Sequence, residues 1–183
     1  RPVEEMTRIT QRICGVCPIA HHVAAAKAGD AVYHVEPPPA GKKLRELLYA
    51  SFFVADHATH FYVLGGPDFL VGPEAPKSER NILGVVRKVG REIGAQVMQL
   101  LGENHEIAKI IAGRYIHAVS AIIGGMSKPI TEDERKRIEQ IARNSIKTAQ
   151  FSLKLFDDVV LKNKQYLDMV LSDAFTHQTY YMG

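Results

Sequence analysis

Residues 42–64 read KKLRELLYASFFVADHATHFYVL, and this stretch decides the expected class of fold. Its apolar residues recur at helical spacing and become so dense in the second half that almost no polar face remains there. We therefore predict one long helix over residues 42–64 whose second half is deeply buried. Around Phe53 and Phe61, we expect this helix to pack against parts of the protein outside the given sequence.

Further helices are predicted on both sides of this stretch. Residues 18–32 are rich in alanine and begin with Pro18, which suits the first turn of a helix, and the three prolines of residues 35–41 then form a rigid connector. The segments predicted next are a loop over 65–76, a helix from Ser78 to Gly102, a shorter helix over 103–111 and an irregular or strand-like piece over 113–125.

The last predicted helix begins with the sequence Thr131-Glu132-Asp133-Glu134. A threonine followed three residues later by a glutamate is a capping box, and acidic residues in the first turn favour a helix start. This helix is expected to run to about Asp157. The predicted fold class is mostly α with few short strands, and residues 1–183 form one partial domain.

Composition limits the possible functions. The net charge of +3 comes from 23 basic and 20 acidic residues that are scattered along the chain, so no concentrated positive patch for nucleic acid is expected. No apolar stretch approaches the roughly 20 residues that a membrane span needs. We expect a protein without a membrane span, in the cytoplasm. The first residue is not Met, so the chain is expected to start inside a longer gene product.

The only two cysteines, Cys14 and Cys17, form a Cys-x-x-Cys motif directly before the helix predicted at Pro18. Two thiolates at this spacing can chelate one metal ion or form a redox disulfide, and spacing alone cannot decide between them. A thioredoxin-like protein needs a βαβ unit around the pair, which this helical context does not supply. A zinc site needs four ligands, for which His21 and His22 are nearby candidates.

The longer string over residues 12–21, RICGVCPIAH, resembles the signature Arg-x-Cys-Gly-x-Cys-x-x-x-His of nickel–iron hydrogenase large subunits at every specified position. Two further resemblances follow in the order of that family. Residues 55–62, ADHATHFY, resemble its Asp-His-x-x-His-Phe-Tyr segment, and residues 113–117, GRYIH, with the following Gly124-Gly125 pair resemble its Gly-Gly-ending segment. The resemblance therefore covers nearly the whole chain.

The resemblance implies a role for each matched residue. Cys14 would be a terminal thiolate on nickel, and Cys17 would bridge nickel to an iron that carries cyanide and carbon monoxide. His21 would lie behind the ligands and tune them, although an ordinary core histidine is the alternative. Asp56 would lie beside the metals as a catalytic group, or else form a structural salt bridge. Arg12 would stabilise the thiolate charge, or anchor its loop.

Three further histidines lie in the segments that resemble the family, and none of them is predicted to be a ligand. His117 is similar to a family residue on the electron-relay side, with a surface loop histidine as the alternative. His57 and His60 are predicted to be interior histidines that pack and donate hydrogen bonds, since only His60 shares the helix face of Asp56.

The implied activity is reversible heterolytic oxidation of H2, with electrons passed to iron–sulfur clusters in a small subunit, then to flavin-type or heterodisulfide-reductase-type subunits. The residues around the motif resemble those of cytoplasmic cofactor-reducing enzymes, F420-reducing or viologen-reducing.

The family's second motif, Asp-Pro-Cys-x-x-Cys-x-x-His, is missing, so we expect the chain to continue on both sides. A thiol-redox or zinc protein and a scaffold subunit related to respiratory complex I remain the alternatives, and both cysteines count against the scaffold.

Overall fold

The computed structural model describes residues 2–176, and most of them are helical. The α-helices in that range are α1 Met6–Ile9, α2 Pro18–Val32, α3 Pro39–Thr59, α4 Ile82–Val89, α5 Arg91–Ala112, α6 Glu132–Phe156 and α7 Lys164–Leu171. Two short strands, β1 Ala121–Ile122 and β2 Gly125–Met126, pair antiparallel. The predicted class, mostly α with few short strands, is confirmed. None of the helices in the described range is both long and apolar enough to cross a membrane.

The core is formed where α3 packs against α5, with α2 on one side and α6 on the other. Its fully buried members include Leu48 of α3, Ile111 of α5 and Ile141 of α6, each 0% exposed. Close packing of aliphatic side chains from four helices removes this apolar surface from water, which is the main contribution to holding the helices together. The cysteine-bearing start of α2 is thereby attached to a fixed frame, because Ile19 belongs to the same core.

The hairpin of β1 and β2 is held by a buried ion pair between α2 and α3. The guanidinium of Arg45 donates to Asp30 Oδ2 at 2.5 Å and to the carbonyls of Ile122 and Gly125 at 2.6 and 3.1 Å. The other carboxylate oxygen of Asp30 accepts from the backbone N–H of Gly124 at 2.7 Å. The buried charged groups of Arg45 and Asp30 therefore both have hydrogen-bond partners, as burial requires.

Helix α3 begins earlier than predicted. Pro38 is its N-cap and Pro39 its first residue, so the proline connector ends before Gly41 and not after it. A proline at the first helical position loses no hydrogen bond, because the N–H it lacks would have no partner inside the helix. The helix α2, by contrast, has the bounds that the sequence predicted, and the capping box of α6 is present with both hydrogen bonds, between Thr131 and Glu134.

The predicted helix from Ser78 to Gly102 is in fact two helices, and its predicted end at Gly102 is wrong. The chain breaks at Gly90, whose φ of 96° and ψ of 154° suit only glycine, and this residue separates α4 from α5. Gly102 lies inside α5, where a helix tolerates glycine at some cost. The separate helix predicted over residues 103–111 is consequently the second half of α5.

The predicted deep burial of the second half of α3 is only partly right. Ala55 and Ala58 are buried, but Phe53 is 42% exposed and lines an open apolar groove of about 730 Å³ between α3 and α6. No element among residues 2–176 covers that face. After Thr59 the chain forms two π-helical turns, His60–Leu64 and Pro67–Val71, so the predicted helix changes type at residue 60 and the predicted loop over 65–76 is partly helical.

Candidate metal centre

The two cysteines are brought together by a turn between two helices. Cys14 follows a short 3-10 helix in extended conformation, and Cys17 is the N-cap of α2, directly before Pro18. The backbone N–H of Cys17 donates to the sulfur of Cys14 at 3.1 Å, which fixes the Cys14 side chain inside the turn. Both cysteines are half-buried and neither forms a disulfide. The prediction that Cys17 lies at a helix start is confirmed.

Hydrogen bonding makes the two thiols unequal. The side-chain hydrogen bond from Cys17, aided by the backbone N–H groups of Cys17 and Val16, lowers the pKa of Cys14. The same side-chain bond, with burial, raises the pKa of Cys17. The negative charge of Asp56 raises the pKa of both thiols by a smaller amount. A metal ion that binds both sulfurs must displace the protons of both thiols, so metal binding here is expected to release protons.

His21 joins the two cysteines. It lies one helical turn after Cys17, and its ring nitrogen and the two sulfurs all lie within 4.8 Å of one another. Within residues 2–176, this is the one group of three histidine, cysteine or acidic side chains close enough to hold a metal ion. Two soft thiolates with an adjacent imidazole are a donor set that suits nickel, iron or zinc, so the residues present fit a transition-metal centre.

Asp56 lies on the wall of a cavity that reaches the cysteine turn. The cavity has a volume of about 240 Å³ and is bounded on one side by Gly15 and Val16 and on the other by His105 and Tyr115. The Asp56 side chain is 32% exposed, and its nearest basic group, the ring of His57, is 4.0 Å away. The salt-bridge alternative for Asp56 thus finds no arginine or lysine among the described residues, and its predicted burial is wrong because the groove beside α3 is open.

His57 and His60, predicted to be interior residues, are exposed instead. The His57 ring contacts the carbonyl of Phe53 one turn earlier in α3, with Nδ1 2.9 Å from the oxygen, and stacks on the Phe53 ring. His57 and His60 are exposed for the same reason as Asp56, because all three line the open groove along this face of α3.

Arg12 and His117 lie outside the group of three donors. Arg12 is exposed, and its guanidinium donates back to the carbonyl of Arg8 in the same helical segment. His117 is half-buried with a left-handed φ of 55°. The residues just before it, Tyr115 and Ile116, line the cavity beside the cysteine turn, so its segment flanks the site.

Two buried polar residues lie close to the cysteines in the sequence. Gln11 was not predicted as a site residue, and His22, named as a candidate zinc ligand, is not part of the group of donors. His22 is 0% exposed, with Nδ1 2.8 Å from the carbonyl of Thr7, and its Nε2 accepts from the N–H of Ala121 at 3.0 Å. Burial lowers the pKa of His22, and the ring is not among the grouped donors Cys14, Cys17 and His21. Gln11, 1% exposed, donates to the carbonyl of Ala118 at 3.0 Å. The sequence gives one signal for His22, namely its position directly after His21.

The surroundings of the pair bear on the thioredoxin-like alternative. That arrangement needs strands on both sides of a helix. The strands of the described range are the two-residue segments β1 and β2, which form a hairpin more than 100 residues after the cysteines. The motif instead joins two helical segments, as the sequence context predicted.

Fold and donor cluster together define a helical protein with a candidate thiolate-based metal site at a helix start. The family model described as nickel-dependent hydrogenase matches residues 1–82. The chain is 42% identical over its full length to an iron-sulfur subunit of the F420-non-reducing hydrogenase of Archaeoglobus profundus, of which it covers 37%. It is 39% identical to a vhu subunit of the F420-non-reducing hydrogenase of Methanocaldococcus jannaschii, of which it covers 43%.

Solved structures agree with these relatives. An NAD+-reducing [NiFe]-hydrogenase in the H2-reduced state superposes with a TM-score of 0.85 and 32% identity over 91% of this chain and 37% of that one. The Ni-Fe-Se hydrogenase of D. vulgaris Hildenborough in the reduced state gives a TM-score of 0.73 and 28% identity over 92% of this chain and 36% of that one. The chain belongs to the nickel-dependent hydrogenase family, and it spans about two fifths of the length of the relatives it matches.

Proposed function

We propose that this chain supplies part of the large subunit of a nickel–iron hydrogenase, and that the complete protein oxidises H2 reversibly. One observation carries the proposal: Cys14, Cys17 and His21 place two sulfurs and a ring nitrogen within 4.8 Å of one another at the start of α2. The family signature over residues 12–21 coincides with this cluster. Cys14 is proposed as a terminal ligand of nickel, and Cys17 as the ligand shared with iron.

The bound nickel–iron centre, with cyanide and carbon monoxide on its iron, would supply the chemistry that splits H2 heterolytically. The protein side chains have other tasks. Cys14 and Cys17 would hold the centre, and a terminal thiolate together with nearby groups would accept the proton. His21 is proposed to orient and tune a cysteine sulfur. These two cysteines supply half of the protein ligands that the family uses, so the other pair is proposed to lie in the remainder of the subunit.

Asp56 is proposed as the group that holds a proton next to the centre. Its carboxylate is only partly exposed, lies without a strong ion pair on the wall of the 240 Å³ cavity, and is close enough to affect the charge of both thiols. A general base must lie within reach of the reacting group, and the cavity wall beside the cysteine turn gives the Asp56 carboxylate such a position. Arg12 is proposed to stabilise the thiolate charge, which requires its guanidinium to leave the Arg8 carbonyl.

Electrons are proposed to leave through iron–sulfur clusters of a small subunit. Both cysteines of the chain lie in the metal-donor group, so clusters need thiolates from another polypeptide or another part of the large subunit. His117, whose segment flanks the cavity, is proposed to lie on the side that faces those clusters. Of the two predicted types, the similarity to F420-non-reducing hydrogenases favours the F420-non-reducing, viologen-reducing one. Further subunits of the flavin or heterodisulfide-reductase type are proposed as its partners. The cytoplasmic location stays a prediction, which cell fractionation tests.

Metal analysis and infrared spectroscopy of the native complex that contains this chain test the proposal. We expect nickel and iron in equal amounts in the large subunit, infrared bands of iron-bound cyanide and carbon monoxide, and H2-dependent reduction of a viologen dye. Zinc in place of nickel, with no such bands, would refute the hydrogenase assignment and favour a zinc site. A metal-free complex whose cysteines cycle between thiol and disulfide would favour the thiol-redox alternative.

A further inference from the structure

His22 is the most completely fixed polar side chain near the metal donors. Both of its ring nitrogens have partners, because Nδ1 lies 2.8 Å from the carbonyl oxygen of Thr7 and Nε2 lies 3.0 Å from the backbone nitrogen of Ala121. A carbonyl only accepts and a backbone N–H only donates, so Nδ1 carries the proton and Nε2 accepts. The ring thus connects α2 to two other segments with one defined tautomer.

The two partners of His22 belong to the segments that flank the site. Thr7 lies in α1, which is followed by the 3-10 helix Thr10–Ile13 and then by Cys14. Ala121 starts β1, shortly after the cavity-lining residues Tyr115 and Ile116. Gln11 makes a parallel connection, since its side-chain amide donates to the carbonyl of Ala118 at 3.0 Å. The start of α2 is therefore held between α1 on one side and residues 118–121 on the other.

His21, in contrast, has no side-chain hydrogen bond to any residue of the described range 2–176. Its direction must come from the helix that carries it. Successive residues of an α-helix are about 100° apart around the axis. When His22 is held between Thr7 and Ala121, α2 cannot roll about its axis, and His21 is kept turned toward the two sulfurs that lie within 4.8 Å of its ring.

We propose that His22 is a positioning residue of the metal centre, which fixes the rotation of α2 and thereby the direction of His21 and the N-cap Cys17. The inference rests on the proposed function insofar as the group that His21 faces is the nickel–iron centre. It assigns different tasks to the adjacent histidines: His21 faces the centre, and His22 anchors the helix from behind.

The test uses the complete enzyme complex with four variants of this chain. His22→Phe fills the same space without hydrogen bonds, His22→Asn can keep the bond to Thr7, and His22→Gln can keep the bond to Ala121. His34→Asn is the matched control, because His34 is exposed and asparagine tolerates its left-handed φ of 51°. Each complex is assayed for nickel content, for the infrared bands of iron-bound cyanide and carbon monoxide, and for kcat and KM with H2.

We expect His22→Phe to lower kcat about 10- to 100-fold, the range found when groups that orient metal ligands are removed. The infrared bands should shift or split while nickel remains bound, because an unfixed His21 contacts the thiolates in more than one way. His22→Asn and His22→Gln should give smaller changes of the same kind, and His34→Asn should match the wild type.

Wild-type bands and kcat in a nickel-loaded His22→Phe complex would overturn the proposal. If His22→Phe does not assemble, the Asn and Gln variants decide the matter, and wild-type bands in both would likewise overturn it. A wild-type complex with neither nickel nor these bands would instead refute the proposed function, and the positioning role would fall with it. The two failures are therefore distinguishable.

Discussion

Replacing Arg45 by methionine should be among the most destabilising single changes in the chain. Methionine fills similar space but leaves the Asp30 carboxylate buried without its cation, and it removes the hydrogen bonds to the carbonyls of Ile122 and Gly125. Breaking a buried ion pair by removing one partner costs about 3–5 kcal/mol. The side chains of Arg45 and Asp30 are only 7% and 11% exposed, so we expect the full effect.

The assay is urea-induced unfolding of the complete subunit followed by circular dichroism, with hydrogen exchange of the hairpin Ala121–Met126 as a local readout. Arg135→Met is the control, because it removes exposed ion pairs with Glu132 and Glu139 and should leave stability unchanged. Adding Asp30→Asn to Arg45→Met should recover part of the loss, since the unpaired charge is removed. A loss no larger than that of Arg135→Met would refute the reasoning.

The same ion pair gives a pH dependence. Burial raises the pKa of Asp30, but the hydrogen bonds from Arg45 and Gly124 and the charge of Arg45 outweigh it, so the folded-state pKa lies below its ordinary value. A lowered folded-state pKa contributes stability that is complete above the unfolded-chain pKa of about 3.9 and is lost as the pH falls through the folded-state value. The stability difference between wild type and Arg45→Met should therefore shrink in that acidic range.

Three further outcomes are expected. Cys17→Ser should abolish nickel loading and H2 oxidation, measured by metal analysis and dye reduction, because serine offers no soft thiolate; retained H2 uptake would contradict the ligand assignment. Asp56→Asn should lower kcat at least about 10-fold with the metals still bound, since the amide cannot accept a proton; an unfolded variant would favour a structural role. Gly84→Ala should destabilise the protein by about 1–3 kcal/mol or more in urea unfolding, because the new Cβ would lie 1.8 Å from the carbonyl oxygen of Glu79; an unchanged midpoint would refute this.

The helices could be predicted from the sequence where local chemistry determines them. Proline at the first turn located the start of α2, and the Thr131 capping box located the start of α6, because both act within one turn of the chain. The break at Gly90 could not be distinguished from one at Gly102, since both are glycines in an apolar pattern. Which glycine adopts a positive φ depends on how the helices on either side pack.

The buried polar contacts could not be predicted, because their partners lie far away along the chain. Gln11 contacts a carbonyl 107 residues later, and Arg45 contacts one 80 residues later. Only Asp30 gave a local signal: an acid near the carboxyl end of a helix is unfavourable toward the helix dipole and therefore needs a cationic partner. For Asp56, the apolar sequence around it predicted burial, because that sequence does not reveal that one face of α3 is open.

His21 and His22 show most directly what a motif can and cannot convey. The motif matches His21 by its distance from Cys17 in sequence, and the structure places its ring within reach of both sulfurs. Sequence spacing alone does not exclude His22 as a further ligand. In the structure, however, the rotation of about 100° per residue around the helix places His22 in the core, between Thr7 and Ala121. A buried ring with both nitrogens bonded to the backbone has no lone pair left for a metal ion. The helix rotation that excludes His22 from the donor group is thus the same one that directs His21 toward it.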